Sequence, residues 1–201
     1  MSVRRLSNSF ISTEGRGKSS TLLAGYVPGV DEMDLIERVV VGSGGISAIE
    51  FINIPQTYQH LQIRAVSRLG AGSDTGVANH KFRLNDISTS TYAWHQLYGN
   101  GSSALANGGA NQNGIESVFR SMGYNTAANI FAPNILNILD YTNTSKNTVV
   151  TSTNGGDLNG SGILLLSSGL FVNTSAITKI SITHPSIVGQ YSTISLYGVK
   201  I

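Results

Sequence analysis

The chain has 201 residues and no cysteine, so neither a disulfide nor a thiolate metal site is open to it. A protein that folds in a reducing cytoplasm needs no disulfide. Charged residues make up only 12% of the sequence, about half the usual share. Long apolar runs are also missing. The densest, Ile163-Leu-Leu-Leu166, is far too short to span a bilayer. After Arg4-Arg5 comes only Leu-Ser-Asn-Ser-Phe-Ile-Ser-Thr, so no signal peptide is expected, and no membrane partner. No stretch keeps a 3.6-residue apolar period over three turns, which excludes a helical architecture.

What fills the chain is small and neutral: 26 Ser, 23 Gly, 17 Asn and 16 Thr, beside a 40% hydrophobic share large enough for a core. These are residues of turns and solvated strand faces. A surface with few Lys and Glu side chains loses little rotamer entropy on contact, which suits packing against copies of itself or another protein. The formal charge of +2 is uneven. Residues 1–18 carry Arg4, Arg5, Arg16 and Lys18 against Glu14, whereas the remaining 183 residues hold nine basic and ten acidic groups.

From Leu35 onward the pattern is of strands. In Leu61, Ile63 and Ala65, and again in Phe82 and Leu84, apolar residues alternate with Gln62, Arg64, Lys81 and Arg83, placing one face in a core and one in water. About eleven such segments recur at 8–15-residue intervals. Leu35–Val41 and Ile46–Ile54 flank Gly42-Ser-Gly-Gly45 in the manner of a hairpin. Residues 97–114 read as a long Gly/Asn/Ser/Ala loop, either an outward contact tip or a tolerated insertion. The expectation is an all-β fold with less than about 10% helix, an antiparallel β-sandwich of jelly-roll type over residues 35–201. Residues 1–34 lack both periodicities and read as an extended basic arm, able to reach about 100 Å at roughly 3.3 Å per residue.

Several segments taken in order carry a resemblance: Ile54-Pro-Gln-Thr-Tyr-Gln-His-Leu-Gln-Ile-Arg64, Phe82-Arg-Leu-Asn-Asp86, Tyr92-Ala-Trp-His95, Asp140-Tyr-Thr-Asn-Thr-Ser-Lys146, Ser167–Ile177 and Tyr191-Ser-Thr-Ile-Ser-Leu-Tyr-Gly198. Over residues 35–201 the chain resembles virion structural proteins of tailed bacteriophages. The resemblance implies a particle protein without enzymatic activity, made in the host bacterial cytoplasm and placed on the virion. A capsid decoration (cement) protein on the capsid surface is the favoured form. It also implies self-association, a trimer before a dimer, and contact with the major capsid protein. On the arm, Arg4, Arg5, Phe10, Arg16, Lys18 and Tyr26 are the expected partner contacts. The rival is a tail or fibre component that binds host glycan through the 97–129 loops, with Tyr92, Trp94, Tyr98 and Tyr124 as stacking residues. Against that rival, Tyr92 and Trp94 alternate on one face, and packing of the sandwich core is the favoured reading for them.

Other motifs are weak. Gly15-Arg-Gly-Lys-Ser19 resembles the end of a phosphate loop, but Ser12 stands where the first glycine belongs. His60, His80, His95 and His184 have no metal-ligand spacing, so no metal or other cofactor is expected. Asp86, Glu116, Asp140 and Asp157 lie far apart, and there is no Gly-x-Ser-x-Gly elbow. The slightly acidic body argues against specific nucleic-acid binding.

Overall fold

The computed structural model describes residues 33–200. It holds thirteen strands: β1 (Met33–Val40), β2 (Ile46–Phe51), β3 (His60–Ser67), β4 (Val77–Asn79), β5 (Lys81–Leu84), β6 (Tyr92–Gly99), β7 (Ala104–Gln112), β8 (Arg120–Met122), β9 (Ala132–Leu139), β10 (Thr148–Asp157), β11 (Gly162–Phe171), β12 (Ile180–Val188) and β13 (Thr193–Val199). No helix occurs among the described residues. The fold is all-β, as the alternation predicts.

Eight strands form one antiparallel sheet in the order β1-β13-β3-β9-β10-β11-β6-β7. A second sheet, β2-β12-β5, faces it, and β4 pairs with β8. The core lies between the two larger sheets. Ile49, Phe51, Phe82 and Ile182 of the small sheet meet Leu61, Ile63, Leu136, Ile138 and Leu196 of the large one, all nearly inaccessible. Period-two alternation turns that set inward and leaves the opposite face of the large sheet open.

Toward β8 the inner face of the large sheet turns polar, for a physical reason. There it is covered by residues 115–119 and the short β8, whose backbone groups need partners that a strand ladder does not supply. Asn154 Nδ2 donates to the carbonyls of Ser117 and Val118, and Ser167 Oγ donates to Ser117 O at 3.0 Å. Asn134 Oδ1 accepts from Arg120 N–H at 2.8 Å while its Nδ2 donates to Arg120 O. We expect Asn134→Leu, close in volume, to strand the Arg120 N–H and cost about 1–3 kcal/mol in urea unfolding. An unchanged midpoint would show that the bond is dispensable.

Three sequence expectations are corrected here. Gly42–Gly45 does not close a hairpin: β1 pairs with β13 in the large sheet and β2 with β12 in the small one, so the turn carries the chain between layers. Residues 97–114 are not a loop but the β6–β7 hairpin, with Leu97 opposite Ala106 and Gly99 opposite Ala104. β7 is an edge strand exposed along most of its length, so no apolar alternation marks it. The body also begins earlier than Leu35. Asp34 pairs with Gly198 and lies 2.5 Å from Lys200 Nζ, and the chain divides between Glu32 and Met33.

Candidate functional site

The two edges of the large sheet differ. β1 carries Asp34, Glu37 and Arg38 and a bulge between Leu35 and Glu37, all devices that discourage pairing with another strand. β7, Ala-Leu-Ala-Asn-Gly-Gly-Ala-Asn-Gln, has no charge, proline or β-branched residue, and its bulge is confined to its end, between the Gly109–Trp94 and Gln112–Tyr92 pairs. From Ala104 to Gly109 its outer edge pairs with no strand among the described residues and can template a further one.

The outward face beside β7 is apolar. Register aligns Leu97 of β6 with Leu166 of β11, then Thr153 of β10 and Ile135 of β9. Leu166 and Leu164 are 60% and 67% exposed, and Leu97, Ile135, Leu139 and Val149 are exposed as well. A shallow groove of about 290 Å³ runs between Leu97, Leu164 and Leu166. Across β6, β11, β10 and β9 the ionisable residues at outward strand positions are His95 and Asp157 alone. Farther along, the face becomes cationic. Arg64 of β3 stands next to Ile135 in register, and Arg38 of β1 donates to Ser195 Oγ. Contiguous apolar side chains on a soluble protein, rimmed by polar ones, mark contact surfaces.

The aromatic residues named from the sequence separate. Tyr92 is buried, stacked on Phe171 with centroids 4.8 Å apart, and its hydroxyl donates to Ile87 O. It is a core residue and cannot stack on a sugar. Trp94 packs against the core, and Gly109 of β7 lies so close that a Cβ there would sit 3.0 Å from its Nε1. Tyr98, half-buried, registers with Leu165 and Leu105 on the inward side of the sheet. Tyr124 alone of the four is well exposed, and it lies outside the hairpin, at the rim of a different cleft. Arg4, Arg5, Phe10, Arg16, Lys18 and Tyr26 fall outside the described residues, as does Gly15–Ser19.

The carboxylates are engaged locally. Lys179 Nζ lies 2.7 Å from both Asp86 and Glu50, which raises its pKa. Lys81 pairs with Glu116 at 3.1 Å. Asp140 binds Lys146 and accepts from Gln59, and those hydrogen bonds lower its pKa. Asp157 Oδ1 accepts from Asn159 N–H. Among the described residues no group of three His, Asp or Glu side chains is placed to hold a metal.

Among the described residues one serine hydroxyl meets a histidine ring, and that contact is sealed. His80 Nε2 and Ser121 Oγ are 2.8 Å apart, and both residues are inaccessible to solvent. Proton placement follows from the far end. A carbonyl can only accept, so Ser67 Oγ donates to Arg120 O; Ser121 Oγ then donates to Ser67 Oγ, and His80 Nε2 donates to Ser121. This leaves the His80 Nδ1 lone pair without a partner, beside the His184 ring at 5.0 Å. The chain of hydroxyls runs inside the fold and offers no nucleophile to a substrate. Comparison with protein-family models, curated proteins and solved structures finds no match to this chain.

Proposed function

We propose that this protein is a non-enzymatic structural component of a tailed-phage particle, a decoration protein that bridges and stabilises capsid subunits. The observation that carries the attachment reading is the outward face of the eight-stranded sheet, apolar from β6 to β9 and cationic toward β1. The phage assignment itself rests on the sequence resemblance. Leu97, Leu164, Leu166 and Ile135 pack on the major capsid protein, and Arg64 and Arg38 meet acidic groups at the rim. The charge-free β7 edge supports self-association into a closed assembly, and the preference for a trimer over a dimer comes from the phage resemblance.

The basic segment supplies a second attachment. Linking two weak contacts on one chain raises avidity by about 10²–10⁴-fold where geometry lets both form. Arg4, Arg5, Arg16 and Lys18 act as a group, each exposed pair contributing about 0–1 kcal/mol, while Phe10 and Tyr26 add apolar anchors. Removing residues 1–32, which stops short of β1, therefore leaves the body folded and releases it from the particle. The measurement is the fraction of full-length and truncated protein bound to undecorated particles. Equal binding by both would end the arm's role. Copy number per virion tests the reading as a whole. Copies on the scale of the capsid lattice support it, and a small multiple of the tail's symmetry moves the protein to the tail, where glycan binding is the rival.

A further inference from the structure

The geometry points to a saccharide site in the cleft between Tyr124 and Tyr191, recognising a neutral sugar ring. This inference rests on nothing in the attachment reading and shares Tyr124, Ala128 and Asn129 with the loops named from the sequence.

The starting observation is a backbone anomaly. Eight non-glycine residues of the described chain have positive φ, and seven are Asn or Asp, whose short polar side chains tolerate that conformation. The eighth is Tyr191, at φ 69°. It occupies the third position of the turn Gly189–Ser192, closed by Ser192 N–H donating to Gly189 O at 3.3 Å, where glycine is the ordinary occupant. Packing does not compensate the strain, because Tyr191 is 70% exposed. A strained residue held outward, with its ring in solvent, is a mark of function.

The cleft beside it has a volume of about 340 Å³, at the small end for ligand sites and suited to a single sugar ring or a short saccharide. Tyr124, 47% exposed, lines the same cleft from a separate loop. An aromatic face presents an apolar body, matching the C–H face of a pyranose, with a polar tip for its hydroxyls. Ser43, Asn129 and Gln190 also line the cleft, and among the described residues no hydrogen bond engages their side chains. These amides and hydroxyl provide both donors and acceptors, which is what a polyol needs.

The loop bearing Tyr124 is held in advance. Arg68 reaches under it: Nη1 donates to Thr126 Oγ1, Ala127 O and Ile130 O, and Nη2 to Tyr124 O and Thr126 O, at 2.7–3.1 Å. With both terminal nitrogens committed to the loop, no bidentate fork remains for a carboxylate. The ligand is therefore a neutral sugar and not an acidic one. A site built ahead of its ligand loses less entropy on binding.

The test is saturation-transfer NMR on the full-length protein. The probes are the methyl glycosides of glucose, galactose, mannose and N-acetylglucosamine, with a sialoside as the acidic arm. At least one neutral glycoside should show transfer. Tyr124→Ala and Tyr191→Gly should each weaken it by about tenfold or more. Tyr191→Gly should also hold or raise Tm, by about 2–4 °C, because glycine relieves the turn. Transfer to no neutral glycoside overturns the proposal, as do transfer to the sialoside alone and unaltered binding in both variants. A lowered Tm for Tyr191→Gly would make Tyr191 a packing residue and overturn the strain argument.

Discussion

Acidification from pH 7 to pH 5 is expected to remove about 2 kcal/mol of folding stability through His80 alone. Burial, followed by the neighbouring His184 and Arg120, lowers the His80 pKa from 6.5 to about 3. The sign follows from proton counts. Between pH 6.5 and 3 the unfolded chain carries a proton on this imidazole that the folded chain refuses, so stability falls as pH falls across that window. Above pH 6.5 both states are neutral and the effect vanishes. The hydroxyl chain gives the structural reason. With Nε2 already donating to Ser121, the incoming proton must go to Nδ1, which has no hydrogen-bond acceptor among the described residues. Urea unfolding of wild type and His80→Gln at half-unit steps from pH 7.5 to 4 isolates this term. The variant's absolute stability will be lower, but its curve should be flatter by about 1.4 kcal/mol per pH unit. Parallel curves would mean that His80 takes up its proton in the folded state at an ordinary pH.

The second large effect is on assembly. Leu166→Glu places a carboxylate in the middle of the apolar outward face, between Leu97 and Thr153 in register. Losing a buried leucine forfeits about 1.5–3 kcal/mol, and desolvating an unpaired charge adds to it. Affinity for undecorated particles should therefore fall by about two orders of magnitude or more. The isolated fold should hardly change, since the position faces solvent and such substitutions usually stay within about 0.5 kcal/mol. Thr144→Glu, on the exposed turn after β9, serves as the control for added charge. If the two variants bind particles and self-associate alike, the sheet face is not the interface.

Much of this architecture is legible in the sequence because one strand face is buried. Leu61-Gln-Ile-Arg-Ala65 alternates inward and outward in the fold as it does in the chain. Where both faces meet water, the rule has nothing to report. β7 therefore reads as a loop, although it is a nine-residue strand with a single bulge near its end. The Gly42–Gly45 turn misleads in another way. Glycines describe a reversal, but whether the next strand returns beside the first or crosses to the opposite layer depends on partners some 150 residues away. The candidate sites follow the same division. An exposed apolar face at alternate positions is implicit in Leu164 and Leu166, whereas the cleft joins Arg68, Tyr124 and Tyr191 from separate parts of the chain. A local signal did exist for Tyr191. It follows Gly189-Gln190 at the mouth of a strand that starts only at Thr193, so it belongs to a turn and not to the alternation.

The place of β13 between β1 and β3 has a kinetic consequence. Met33 and His60 both pair with Val199, so the sheet around β3 closes only after residues 193–199 have been synthesised. At ribosomal rates of about 5–20 residues per second, β3 waits roughly 7–26 s with one edge unpaired. Pairings this far apart in sequence also fold slowly once the chain is complete, because loop closure must precede the contacts that reward it. The nascent protein passes through an interval in which Leu61, Ile63 and Ala65 are held open to association. During that interval, yield depends on chaperone capacity and expression temperature more than on the stability of the finished sandwich.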